Sequence, residues 1–362
     1  MKEMSDTPKI LITGGAGFIG TNLANSFLEE GRPVALLDNL SRTGVTDNLN
    51  YLQSRFGRNV TFYEADVRDR AAVRDAVSKA DVIFHFAAQV AVTTSLDNPV
   101  GDFGVNAAGT LNVLEAARLS ARRPTLLFTS TNKVYGALDN VVLTRRGLRY
   151  EPIERELAAR GVGESRPLDF HSPYGCSKGS ADQYVLDFGR CYGFRTVVFR
   201  MSCICGPHQQ GTEDQGWVAY FVKKILNEEP ITIYGDGLQV RDVLFVSDLV
   251  RAFRLATADG VVNDSAVFNM GGGAAQAASV LEVINLIGQT VGVDPRIGFG
   301  PSRIGDQRWY ISNHSRFTEA TGWAPKIGLR EAIERLVDWF SPSEGVAAMA
   351  GKHRSSQCAT LS

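Results

Sequence analysis

The sequence predicts an α/β protein built on a doubly wound parallel sheet, with a smaller C-terminal region interleaved with it. Two observations carry that prediction. Six short apolar runs rich in β-branched residues alternate with longer stretches of helical spacing as far as Met201. Parallel strands need crossover connections, so this alternation means a sheet covered by helices on both faces. Beyond Met201 the rhythm loosens into glycine-containing loops and amphipathic helices, which marks the second region.

In chain order, Lys9–Thr13, Pro33–Asp38, Val60–Ala65, Asp81–Ala88, Thr125–Ser130 and Thr196–Met201 read as strands. Ile19–Glu30, Ala71–Lys79 and Val105–Leu119 read as helices between them. Ala137–Ser172 is long for a connection and carries Arg145, Arg146, Arg149, Arg155 and Arg160. It is either a lid over a site or a surface excursion, with a short helix over Glu151–Arg160. Later, Asp242–Val246 reads as a strand, and Leu281–Val291 and Leu329–Phe340 as amphipathic helices. The expected division places residues 1–202 in the first domain, with 240–272 returning to it. Residues 203–239 and 273–342 form the second region, and 343–362 a flexible tail.

Bulk properties exclude several classes. With 38 basic against 39 acidic side chains, no basic stripe for nucleic acid is indicated. Met1–Lys9 is polar, unlike a signal peptide, and no run is long and charge-free enough to span a bilayer. A cytoplasmic protein with no membrane partner is expected. Five cysteines, without the spacing of a disulfide framework, fit free thiols. Cys203-x-Cys205 with His208 nearby lacks a second ligand pair, so buried or cleft-lining thiols are expected there rather than a metal.

The first strand runs into Gly14-Gly15-Ala16-Gly17-Phe18-Ile19-Gly20, and a helix follows. Gly14, Gly17 and Gly20 permit a tight turn and close backbone approach, and the helix N-terminus offers amides to a pyrophosphate. This is the Rossmann-type arrangement for a dinucleotide. Asp38, ending the second strand, can accept from adenosine ribose hydroxyls and repels a 2′-phosphate, which favours NAD over NADP. Arg42 argues the other way, since a guanidinium can pair with that phosphate. Asp66-Val67 is placed to meet the adenine, and Phe86-Ala87-Ala88 supplies small residues where the cofactor passes, unless both are ordinary strand-end packing.

Tyr174-x-x-x-Lys178 heads the helical segment Tyr174–Arg190. Residues four apart share a helix face, and an ammonium near a phenol favours the phenolate, lowering its pKa toward working pH. Tyr174 can then remove a hydroxyl proton while the cofactor takes a hydride from the same carbon. Lys178 can also hold the nicotinamide ribose. Thr131, just past the fifth strand, supplies a third hydroxyl to orient the substrate oxygen.

Together, Gly14–Gly20, Asp38-Asn39-Leu40, Asn106 within Val105–Thr110, Thr131, Tyr174 and Lys178 resemble the extended short-chain dehydrogenases/reductases, in the branch that modifies nucleotide sugars. Tyr234–Asp248 and Arg303-Ile-Gly-Asp306 add to the resemblance, which extends over residues 9–340. It implies bound NAD, an NDP-sugar substrate, and a homodimer or homotetramer paired through helices such as Val105–Leu119 and Tyr174–Cys191. It also implies cofactor contacts from Phe18, Ile19, Asn39, Ser41, Gln89, Asn106 and Thr129. A narrower resemblance, to the CDP-tyvelose (CDP-paratose) 2-epimerases, rests on Thr93–Pro99, Ser130–Gly136, Leu168–Lys178 and Asp214–Trp217. Two positions depart: many members carry Asn where Cys203 stands and Tyr where Cys205 stands, and that Asn often touches substrate. Leu143–Tyr150 is arginine-rich where an acidic segment is expected.

The residues after Thr131 separate subclasses. Relatives that dehydrate or decarboxylate the sugar need a carboxylate beside the Thr/Ser hydroxyl, and here Asn132 and Lys133 follow. Oxidation and re-reduction need no further acid or base, so epimerisation is expected, and the narrower resemblance implies C2 as the reacting carbon. A 4-epimerase is the main rival and a 4,6-dehydratase is disfavoured. Intact Thr131, Tyr174 and Lys178 oppose a non-enzymatic NAD(H)-sensing binder. On the substrate side, Arg241 and Arg303 suit a diphosphate, or else pair with residues such as Asp242 or Asp306. Asn132 and Cys203 are further candidates there. Trp217 either stacks on the base or belongs to a core, and Gln89 and His171 either border the sugar or make structural hydrogen bonds.

Overall fold

The structure is a computed structural model that describes residues 9–341 except 259, 263–264 and 304; the tail expected at 343–362 lies outside the described residues. Seven parallel strands form the central sheet: β1 (Ile10–Thr13), β2 (Val34–Asp38), β3 (Val60–Glu64), β4 (Val82–His85), β5 (Thr125–Thr131), β6 (Thr196–Met201) and β7 (Ala266–Met270). Their order is β7-β6-β5-β4-β1-β2-β3. The order therefore reverses between β1 and β4, and doubly wound sheets take ligands in the crevice outside the strand ends at such a point. All of β1 is buried, as expected of a strand covered on both faces. His85, the last residue of β4, pairs with Phe128, so β5 runs on past it and carries Thr131 over the crevice. β4 ends at His85 rather than Ala88 because the chain peels away there to pass over Gly14.

The longer helices of the first part of the chain are α1 (Phe18–Leu28), α2 (Val45–Phe56), α3 (Arg70–Ser78), α4 (Thr110–Leu119) and α5 (Ser172–Tyr192). They are followed by α6 (Trp217–Leu226), α7 (Val246–Thr257), α8 (Val280–Val291) and α9 (Leu329–Phe340). Leu23 and Phe27 of α1, Leu49 of α2 and Phe253 of α7 share one core against the sheet. Val73 of α3, Leu114 of α4 and Val185 of α5 share the core on the other face. α5 starts with a proline in its first turn and ends at Gly193 in the left-handed region, so local sequence sets both its ends. Midway along it, Asp182 accepts from Arg200 of β6 at 2.9 and 2.8 Å. This buried two-point pair clamps α5 to the sheet.

The second region has its own small sheet. Val240–Phe245 pairs with Cys203–Cys205, Ala277–Ser279 and Trp309–Tyr310. The segment 240–272 thus returns to the central sheet only through α7 and β7, while its first strand stays in the second region. Burial explains the difference: Val243 and Phe245 belong to a core with Val222 of α6, Ile287 of α8 and Leu336 of α9.

Residues 137–172 form a hairpin, Leu143–Arg146 with Arg149–Pro152, and a helix, Arg155–Arg160. The helix starts late because the hairpin takes up Glu151 and Pro152. Leu138 and Val162 pack with Val240, Trp309 and Tyr310, and Arg149 pairs with Glu282 at 2.7 Å. None of these residues lines the cleft described next. Of the two readings of this segment, the structure supports the surface excursion, packed on the second region and contributing no residue to the cleft lining.

Candidate active site

A cleft of about 810 Å³ runs from the strand ends of the central sheet to the second region. At its sheet end Gly14 has φ 67, and a Cβ there would lie 2.7 Å from Ala87 N. A Cβ on Gly20 would lie 2.3 Å from Gly14 O. Only glycine fits at either position. No side chain caps α1 at Gly17, so the first-turn amides of Phe18, Ile19 and Gly20 border the cleft without intrahelical partners. Asp38 accepts from Ala16 N at 3.1 Å and Leu40 N at 3.0 Å, and each of its oxygens retains acceptor capacity. Burial pushes its pKa up against those two amides.

Asn39 donates to Asp66 at 2.8 Å and accepts from the Ser41 hydroxyl at 2.8 Å, which ties the β2 and β3 exits together. The Arg68 guanidinium holds the Asp66 carboxyl well below the usual carboxylate range. Arg42, Val67, Phe86, Ala87, Ala88 and Thr129 also line this end. A cradle of backbone where a Cβ would intrude, uncapped helix amides and a carboxylate at the β2 end together fit a dinucleotide.

One expected cofactor contact lies elsewhere. Asn106 sits in a π-helical turn, Gly104–Gly109, buried behind the cleft and not lining it. Its side chain accepts from Gln89 N at 2.9 Å and donates to Asp102 and Ser177 at 3.1 Å each. It shapes the loop that passes the cleft. Gln89 itself lines the cleft, yet its amide closes its own loop on Ala91. His171 faces Asp169 at 3.1 Å, outside the cleft lining.

Tyr174, Lys178 and Thr131 converge at the middle. The Thr131 hydroxyl faces the same part of the cleft as the Tyr174 phenol. Lys178 donates to Thr129 O at 2.6 Å and lies 4.1 Å over the Phe128 ring. The pKa directions reverse the expectation drawn from spacing. Burial pushes the Tyr174 phenol up to about 12, with Asp102 adding to it and Thr131 and Arg42 opposing. Burial also pushes Lys178 down to about 7, against Asp182 and Asp102. The lysine spends its charge on a strand carbonyl and not on the phenol, so the chain alone does not make a phenolate. A bound nicotinamide cation would add positive charge that favours the phenolate.

At the far end Arg241 and Arg303 line the cleft, each already paired. Arg241 donates to Asp306 at 2.7 Å and to Gln307 O at 2.6 Å. Arg303 lies 3.5 Å from Glu213 and 3.3 Å from Asp214, with its guanidinium 3.9 Å over the Tyr234 ring. Asp242 instead accepts from Gly273 N at 3.0 Å, away from Arg241. Asn132 donates to Gln307 at 3.1 Å. The Trp217 indole donates to Cys203 Sγ at 3.2 Å and meets Phe221 edge-on. Both Trp217 and Cys203 face the cleft, and burial pushes the Cys203 thiol up.

Sequence reasoning missed two charged groups here. Lys133 and Asp306 line the cleft 3.6 Å apart. Burial and Arg241 push Lys133 down to about 8. Burial raises Asp306, but Arg241, Lys133 and Arg303 outweigh it and leave the carboxyl below its ordinary value. Both residues stand inside quoted motifs, which was the available signal.

Comparison with known proteins agrees with this geometry. The family described as "NAD dependent epimerase/dehydratase family" matches residues 10–271. The CDP-paratose 2-epimerase of Salmonella typhi is 42% identical over 340 residues, covering 92% of this chain and 99% of its own. A putative UDP-glucose 4-epimerase of Methanocaldococcus jannaschii is 32% identical, covering 91% of this chain and 98% of its own. Two solved UDP-glucose 4-epimerases, from Thermotoga maritima with UDP-glucose and from Thermus thermophilus with NAD, each match with a TM-score of 0.78 at 32% identity. Each covers 92% of this chain and 98% of its own. The chain belongs to the NAD dependent epimerase/dehydratase family, and NAD is its cofactor.

Proposed function

We propose that the protein inverts C2 of a nucleotide-diphosphate sugar of the CDP-paratose/CDP-tyvelose type. The observation that carries this reading is the pair of residues after Thr131. Asn132 and Lys133 bring no carboxylate there, and the Asn132 amide is spent on Gln307. Elimination of water from the sugar would need an acid at that place; inversion does not. The CDP-paratose 2-epimerase relative at 42% identity supports the choice of carbon.

Bound NAD supplies the hydride acceptor in the first half of the cycle and the donor in the second. Tyr174 takes the proton of the C2 hydroxyl and later returns one to the keto oxygen. Thr131 orients that oxygen, and Lys178 holds the nicotinamide ribose and supports the phenolate. The sugar turns between the halves, so its grip comes from the nucleotide diphosphate. Arg241 and Arg303 supply that grip after exchanging carboxylate partners for phosphoryl oxygens. Exposed Val100, Phe103, Leu119, Tyr184 and Tyr192, on 99–119 and α5, support pairing of two copies through these helices. Among the described residues no helix is long and apolar enough to cross a membrane.

The test is incubation of the NAD-loaded enzyme with a panel of NDP-sugars in D2O, read by NMR. Inversion at C2 without solvent deuterium is expected. Inversion at C4 would replace this reading with the rival carried by the 4-epimerase relatives. Deuterium uptake with loss of water would indicate a dehydratase.

A further inference from the structure

The wall between the reacting hydroxyls and the two arginines holds a third cation. Lys133 stands two residues after Thr131, and its backbone N–H donates to Thr131 Oγ1 at 3.2 Å. Its side chain lines the cleft and is only 19% exposed. Among the described residues, its ammonium meets one partner at hydrogen-bond distance, Gly305 O at 2.9 Å. Asp306 Oδ1 lies 3.6 Å away, and the same oxygen takes Arg241 at 2.7 Å. The Lys133 backbone thus sits at Thr131 while its ammonium reaches the carboxylate shared with Arg241, and Arg303 lines the same cleft over Tyr234. A largely buried ammonium with unspent donors, sharing a carboxylate with an arginine, is suited to an anionic oxygen.

That arrangement bears on which carbon reacts. In an NDP-sugar, C2 is two bonds from the glycosidic oxygen and C4 is four. For C2 to reach Tyr174 and Thr131, the sugar-proximal phosphoryl must come closer to those hydroxyls than a C4 reaction requires. We infer that Lys133 is a specificity-determining, substrate-binding residue. Its ammonium takes the sugar-proximal phosphoryl, drawing it beside Thr131 so that C2 meets Tyr174. Arg241 and Arg303 then carry the distal phosphoryl. This assignment rests on the C2 reading above.

The experiment compares NAD-loaded wild type, Lys133→Met and Lys133→Arg, using CMP, CDP and CDP-paratose as probes. CDP has the terminal phosphoryl that CMP lacks. Lys133→Met should weaken CDP by about tenfold or more, the effect of one lost charge-assisted bond. CMP affinity and NAD content should stay as in wild type. KM for CDP-paratose should rise and kcat fall, and Lys133→Arg should restore much of both. Equal loss of CMP and CDP binding would mean that Lys133 only supports the 303–307 loop, and would overturn the inference. So would wild-type turnover of CDP-paratose by Lys133→Met. If the Met variant does not fold, Lys133→Gln, whose amide can still donate to Gly305 O, is held to the same criteria. Wild-type enzyme that inverts only C4 of UDP-glucose would remove the C2 reading itself, a failure distinct from an indifferent Lys133→Met.

Discussion

The two ends of the cleft are built on different principles. The cofactor end is backbone: glycines packed against neighbouring chain, uncapped amides of α1, and a β2 carboxylate held by two amides. The substrate end is side chains in mutual ion pairs, with Lys133, Arg241 and Arg303 facing Glu213, Asp214 and Asp306. A backbone site is preorganised and cannot adapt, which suits a cofactor that stays. An ion-paired site must trade partners when its ligand arrives, which suits a substrate that enters, turns and leaves.

The largest expected effect breaks the rigid end. In Gly20→Val the added carbons meet Gly14 O and Gly15, backbone that cannot give way without opening the turn. The variant should lose stoichiometric NAD and with it all turnover. Release of nicotinamide from the purified protein on acid treatment checks this; wild-type NAD content would mean that the turn adapts after all.

Next in size is the hydroxyl between the two ends. Tyr174→Phe should keep NAD and lose about 10²–10⁴-fold in kcat, the usual range for removing a positioned acid–base. The same residue gives a pH test. Its phenol stands near 12 in the chain alone, above the ordinary value of 10.0. Between those values the folded state keeps a proton that the unfolded state has lost, so stability falls as pH rises through that window. Ultraviolet difference titration should find this tyrosine ionising near pH 12 without cofactor and lower with NAD bound. The step should vanish in Tyr174→Phe. An unchanged titration on adding NAD would remove the nicotinamide cation as the source of the phenolate.

The same contrast explains what could be read from the sequence. The Gly14–Gly20 turn, the β-strand rhythm and the Tyr174–Lys178 spacing are local patterns, and local patterns reach the page intact. Lys133 meets Gly305 across 172 positions, and nothing in either neighbourhood announces the other. Asn106, expected at the cofactor, lies behind the cleft with its amide taken by Gln89 N, Asp102 and Ser177, partners its spacing does not reveal. Spacing puts Lys178 near Tyr174 on one helix face but carries no information on burial, and burial raises the phenol instead of lowering it.

A moderate effect sharpens the contrast at the adaptable end. Asp306, shared between Arg241 and Lys133, holds negative charge where the proposed reading puts the diphosphate. In Asp306→Asn that competition goes, and CDP should bind about threefold more tightly at low salt, with the gain shrinking as salt rises. Titration calorimetry at two ionic strengths measures it. Weaker CDP binding in the variant would mean that Asp306 aims Arg241 more than it competes with the ligand.

The smallest expected effect lies outside both ends and tests the boundary of the site. Arg149 sits in the hairpin and meets Glu282 through two contacts, 2.8 and 2.7 Å, on partly exposed side chains. Glu282 also closes the capping box at the start of α8, accepting from Ser279 N at 2.7 Å. Removing the guanidinium leaves that cap in place, so Arg149→Ala should cost only about 0.5–1 kcal/mol of stability, as exposed pairs do. Because 137–172 contributes no lining residue to the cleft, kcat and KM for the NDP-sugar should stay at wild-type values. A raised KM with unchanged melting temperature would make the arginine-rich segment part of the substrate site. The ion-paired end would then extend further over the cleft than its lining residues indicate.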